Sequence, residues 1–98
     1  QAGYEFKLNQ DSDRACRGYI YVTTNNSSYT SYSLPATNLY ASTADTYGTV
    51  FAQQLVDCTD TSQVKVKFAT SVVNNPTITR GSSTINYTFF TFIRLGDT

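Results

Sequence analysis

Val64-Lys65-Val66-Lys67-Phe68 decides the fold class. Apolar and charged side chains alternate without a break. A period of two puts Val64, Val66 and Phe68 on one face of a strand and both lysines in water. Tyr4-Glu5-Phe6-Lys7-Leu8 repeats the pattern, with Tyr4, Phe6 and Leu8 on one face. Working outward, residues 18–24 read as a strand whose Ile20 and Val22 oppose Tyr19 and Tyr21. Residues 29–34 read as another, which Pro35 ends or confines to a sheet edge. Residues 49–58 form a mostly apolar and therefore buried strand, and 77–79 a short one. Between them, Asn25-Asn26-Ser27-Ser28, residues 57–62, Asn74-Asn75-Pro76 and Arg80-Gly81-Ser82-Ser83 carry turn signals. Residues 9–14 and 38–48 read as loops.

Composition agrees. Thr, Tyr, Val, Ile and Phe suit a pleated, half-buried surface, and strong helix formers are scarce. The 98 residues make one domain, 1–98, without internal repeats or a linker. The expectation is an all-β antiparallel sandwich or jelly roll of about seven to eight short strands. Gln1 reads equally as the residue left by removal of a leader or as a cut in a longer chain.

Several function classes drop out. Seven basic residues balance seven acidic ones without a basic stripe, so a nucleic-acid backbone has no counterpart here. No apolar run approaches the ~20 residues of a membrane helix. The chain has no His, which removes Ser-His-Asp and Cys-His catalysis and most zinc sites. Glu5 sits on the water face of its strand and the aspartates fall mainly in loops, so no carboxylate pair is organised for glycoside chemistry. Asp11-Ser12-Asp13 reads as a solvated turn rather than a calcium loop. No catalytic residue, metal or cofactor is assigned, and the chain reads as non-enzymatic.

Two cysteines, Cys16 and Cys58, stand far apart in a Thr/Ser/Asn-rich chain. That composition reads as extracellular or virion-surface, where disulfides persist, and a Cys16–Cys58 bridge is the expectation. Closing so long a loop would stabilise by about 4 kcal/mol in the chain-entropy model. Ordinary buried thiols are the alternative.

The tyrosines carry what binding signal there is. Tyr29, Tyr32, Tyr40 and Tyr47, with Asn25 and Asn26, lie in a Ser/Thr/Asn-rich stretch. A rigid amphipathic ring beside small hydrogen-bonding groups suits adaptable recognition of a host glycan or protein. Core or subunit contacts are the other reading of the same rings.

Residues 85–95 look like a long final strand with aromatics on both faces. Ile85, Tyr87, Phe89, Ile93 and Leu95 share one face, and Phe90 and Phe92 share the other with Arg94. The expectation is that the first face packs on the domain's own second sheet. The second, with Tyr87 at its border, would then be buried between subunits. Two such rings are worth roughly 3–6 kcal/mol on burial. The run Ser83-Thr84-Ile85-Asn86-Tyr87-Thr88-Phe89-Phe90-Thr91-Phe92-Ile93-Arg94-Leu95 resembles the last strand of C1q/TNF-like jelly rolls, and Tyr47-Gly48-Thr49-Val50 through Val64-Lys65-Val66 is compatible with the strands before it. The style of the chain is similar to the head domains of trimeric phage fibres and spikes. That resemblance implies a homotrimer with this strand near the axis and loops that meet a host surface. The competing reading is a structural subunit, such as a capsid decoration, minor virion or pilus-like filament protein, with its tyrosines in subunit contacts.

Overall fold

The computed structural model describes residues 1–9, 11–41, 44–74 and 76–96. Eight strands follow in chain order: β1 Ala2–Leu8, β2 Asp11–Thr23, β3 Thr30–Ser33, β4 Ala36–Ala41, β5 Thr46–Ala52, β6 Lys65–Ser71, β7 Ile78–Thr79 and β8 Phe89–Phe90. They form two antiparallel sheets, an all-β sandwich.

Each sheet is built on one central strand. In the first, β1 pairs with β5 along its whole length on one edge, and with β7 and then β8 on the other. In the second, β2 carries β6 on one edge and both β3 and β4 on the other. β3 and β4 are one strand interrupted at Leu34-Pro35. Proline has no N–H to donate, but its carbonyl still accepts from Gly18 N at 3.2 Å, so the ladder resumes.

The alternation of β1 does what the sequence suggests. Ala2, Tyr4, Phe6 and Leu8 enter the core, where they meet Cys16, Ile20 and Val22 of β2, Leu39 and Ala41 of β4, and Val50 and Ala52 of β5. Tyr4 lies at the centre. Its ring covers Gly18, where any Cβ would overlap it, and its hydroxyl donates to the Tyr19 carbonyl at 2.6 Å. Burial pushes the Tyr4 phenol up to about 12, the Ala69 and Tyr19 backbone contacts opposing it only in part. Lys65 and Lys67 face water as expected.

Several expectations need correction. Of residues 9–14, Gln10 lies outside the described residues, and 11–14 are no loop: β2 begins at Asp11, which takes a left-handed φ of 70° that Asp tolerates. Residues 38–48 contain most of β4 and the start of β5. Strand 49–58 ends at Ala52, which pairs with Ala2 of β1. The long strand 85–95 shrinks to Phe89–Phe90, which pairs with Gly3 and Ala2, while β7 takes the same edge at Phe6 and Lys7. The two faces of that run are also exchanged. Phe89 points outward over Gly3, whereas Phe90 and Phe92 point at the second sheet and pack on Phe68. The Cys16–Cys58 bridge is absent. Cys16 points into the core from β2, Cys58 is exposed beyond the end of β5, and both are free thiols.

The sandwich is closed along one edge, where β4 lies against β5. The chain exposes 6540 Å², against about 5600 Å² for a folded monomer of 10.9 kDa. Its radius of gyration of 15.5 Å exceeds the ~13 Å of a domain this long.

Candidate functional site

The register of β1 creates the site. Ala2 faces Ala52 on one side and Phe90 on the other, and Gln1 extends the ladder by one step. Its amino group donates to the Thr91 carbonyl, and Thr91 N donates back to the Gln1 carbonyl, both at 2.8 Å. Beyond the Gln1–Thr91 pair the chain runs on from β5 and from β8. Residues 53–58 and 91–96 flank an open cleft of about 1000 Å³. Ile20, Val66 and Phe68 of the second sheet form its floor, and Leu55, Val56 and Phe92 lie on its walls.

This cleft is apolar and wet at once. Phe68 is only half-buried although it faces inward, stacked on Phe90 at 4.1 Å between ring centroids and edge-on to Phe92 at 5.7 Å. Leu55, Phe92 and Leu95 are 72%, 73% and 77% exposed. Contiguous apolar exposure of this kind marks a binding surface. Side chains bond the flanking backbone: Gln54 Nε2 donates to the Leu55 carbonyl and Arg94 Nε to the Gly96 carbonyl, both at 3.0 Å.

Residues named from the sequence are dispersed. Tyr29 lies on the outer face of the second sheet, where Lys67 Nζ sits 4.5 Å from its ring centroid and 4.7 Å from that of Tyr21; Tyr21 in turn stacks on Tyr19. Tyr32 and Tyr40 are exposed on β3 and β4. Tyr47 is on the outer face of the other sheet, 4.5 Å from the Arg80 guanidinium. Asn25 accepts from Thr23 Oγ1 and from the backbone N–H groups of Ser27 and Ser28, while Asn26 holds a φ of 57° and donates to the Gln63 carbonyl. Those two residues build their turn. The four tyrosines do not converge on one site. Of the proposed interface residues, Phe90 and Phe92 border the cleft, and Arg94 Nε donates to the Gly96 carbonyl beside it. Tyr87 instead covers Arg80 at 3.7 Å.

Sequence reading missed two polar clusters. Arg80, read as part of a turn, pairs with Glu5 through its side chain and its backbone N–H, and Tyr47 and Tyr87 sit against its guanidinium. Asp13 is buried. Its Oδ2 accepts from Asn74 N at 2.9 Å and Thr77 Oγ1 at 2.7 Å, and its Oδ1 from Ala15 N at 3.1 Å. Burial alone would raise this carboxyl, but the bonds from Asn74, Thr77, Ala15 and Val73 outweigh it and hold the group below the usual carboxylate range. With N–H and O–H donors aimed at both its oxygens, Asp13 ties β2 to Val73, Asn74 and Thr77 and does not face a cation. Burial and the nearby Asp13 charge push the Cys16 thiol up to about 11, far from a reactive thiolate. Comparison with protein-family models, curated proteins and solved structures finds no match.

Proposed function

We propose that this chain is a non-enzymatic structural subunit of an extracellular or virion-surface assembly, and that a neighbouring subunit covers its exposed apolar surface. The exposed cluster of Leu55, Phe92 and Leu95 beside the half-buried Phe68 carries this reading. A chain with so small a core keeps Phe68, Phe92, Leu55 and Leu95 in contact with water only at a cost that a neighbour removes. The surplus of about 900 Å² over a compact monomer is close to the ~800 Å² each partner contributes to a standard interface. Glu5 and Asp13 are both committed to structural partners, so neither is a poised acid or base.

Native mass spectrometry and sedimentation of the whole chain test the reading. Self-association at micromolar concentration is expected, and a stable, well-folded monomer would reject it. Three copies is the number implied by the C1q/TNF-like resemblance.

A second reading, an attachment head that binds a host glycan or protein, draws support from one patch. Tyr21 and Tyr29 flank Lys67, and Tyr19 stacks on Tyr21 at 5.3 Å, a set of ring faces beside a cation. Sugar faces stack on such rings. Loss of binding on a glycan panel by Tyr21→Ala, with retained fold, would favour it.

A further inference from the structure

Charge is sorted between the two outer faces of the sandwich. Among the described residues the ion pairs are Lys7–Asp45 at 3.2 Å and Arg80–Glu5, both on the outside of the first sheet. The outside of the second sheet carries Arg14 and Arg17 from β2 and Lys65 and Lys67 from β6, and none of these four takes a carboxylate partner among the described residues. Alternation puts them there. Cys16, Ile20 and Val22 point into the core, so Arg17, Tyr19 and Tyr21 point out, and the register sets Lys67 beside Tyr21. Arg14 is exposed next to buried Asp13, at the bulge. A formal net charge of zero hides this row, because two strands from distant parts of the chain supply it. Tyrosine rings occupy its middle. Lys67 Nζ lies against the rings of Tyr21 and Tyr29, which hold the ammonium in place without neutralising it. Tyr19 stacks on Tyr21 with the planes 12° apart, so its other face turns toward Arg17, and no second ring or cation covers that face among the described residues.

Resting on the attachment reading above, we propose that this face binds an acidic polysaccharide, a chain of sugars that carries carboxylate or sulfate groups. One sugar ring lies on the open face of Tyr19, and its acidic neighbours meet Arg17 on one side and Lys67 on the other. Four residues of β2 separate the Arg17 level from the Lys67 level, about 13 Å of strand, so successive sugars and not one substituent bridge them. The guanidinium of Arg17 suits a planar carboxylate, which it grips through two parallel N–H bonds. A neutral sugar would leave all four cations without a counterpart. A nucleic acid matches the row poorly. From the level of Arg14 to that of Lys65 is about 30 Å of strand with four cations along it, whereas a nucleic-acid strand carries a phosphate every ~3.4 Å. Widely spaced acids on a chain of stackable rings are what widely spaced cations around a tyrosine face select.

The test uses the whole chain and measures its affinity for dextran sulfate, polygalacturonate and neutral dextran, with single-stranded DNA as a polyanion that is not a polysaccharide. An acidic chain should bind, less tightly as salt rises, and neutral dextran should not. Arg17→Gln and Lys67→Gln should each weaken binding about twofold to fivefold and flatten its salt dependence. Tyr19→Leu, which removes the ring and keeps an apolar side chain, should weaken it roughly twofold to tenfold. Lys7→Gln removes the same charge from the opposite sheet and should leave binding unchanged. Circular dichroism should be the same for all four variants. Neutral dextran bound as tightly as the acidic chains overturns the acidic ligand and leaves the attachment reading standing. No binding to any of the three polysaccharides overturns the proposal, and the attachment reading then stands or falls on the wider glycan panel. Tighter binding to DNA than to either acidic chain overturns it in favour of a nucleic acid. Equal losses in Lys7→Gln and Lys67→Gln also overturn it, since net charge and not this face would then set the affinity.

Discussion

Asp13→Asn tests the account of how this fold is pinned. The substitution keeps shape and removes one acceptor oxygen and the charge. If the new amide oxygen takes the place of Oδ2, it keeps Asn74 N and Thr77 Oγ1, and the amide nitrogen then confronts Ala15 N–H. One buried donor is left without a partner, worth about 1–3 kcal/mol, and the remaining bonds lose their charge assistance. Together this comes to roughly 2–4 kcal/mol, a large share of a small domain's stability. Urea unfolding at pH 7, followed by circular dichroism, reads it directly; in a thermal scan the loss is at least about 8 °C. The pH dependence has a definite sign. The folded carboxyl titrates below its unfolded value of about 3.9. Its contribution is therefore complete above that value and is lost as pH falls through the folded pKa. The gap between wild type and Asp13→Asn should be full at pH 7 and narrow near pH 2. Equal stabilities at pH 7, or a gap that does not change with pH, would refute the reasoning.

Gly18→Val should cost at least about 1–3 kcal/mol, because its Cβ would occupy the place of the buried Tyr4 ring; chemical denaturation measures it, and a neutral result would mean that Tyr4 does not cover Gly18. Alkylation of the native protein should label Cys58 quickly and Cys16 only on unfolding, since the first is exposed and the second buried with its thiol raised to about 11. Rapid double labelling under native conditions would contradict the placement of Cys16. Tyr4→Phe should lose about 1 kcal/mol at neutral pH with the Tyr19 bond. With its phenol raised to about 12, Tyr4 stabilises fully below pH ~10 and ceases to as pH climbs through its folded value. Wild type should therefore lose stability between pH 9 and 12 more steeply than Tyr4→Phe in parallel denaturation curves, and parallel slopes would count against it.

What the sequence by itself determined is local. Alternation in Tyr4–Leu8 and Val64–Phe68 set which side chains enter the core, because a strand's period of two is a property of its own backbone. Asn25-Asn26 marked its turn because Asn tolerates a positive φ and can bond its own backbone. The absence of His and the scarcity of helix formers bounded the chemistry and the class. Tertiary structure decided everything that needs a partner. Residues 49–58 and 85–95 have the pattern of full-length strands, yet a ladder exists only where a neighbour runs beside it, and of these runs β1 pairs with 49–52 and with Phe89–Phe90. The same alternation could not say which face of Phe89–Phe90 turns inward, since both are aromatic and only the second sheet breaks the tie. Asp13 reads as a loop residue until the fold brings the donors of Val73, Asn74 and Thr77 to it across sixty or more positions of chain. The open cleft has no signature in any one segment, because Leu55 and Val56, Val66 and Phe68, and Phe92 reach it from distant parts of the chain.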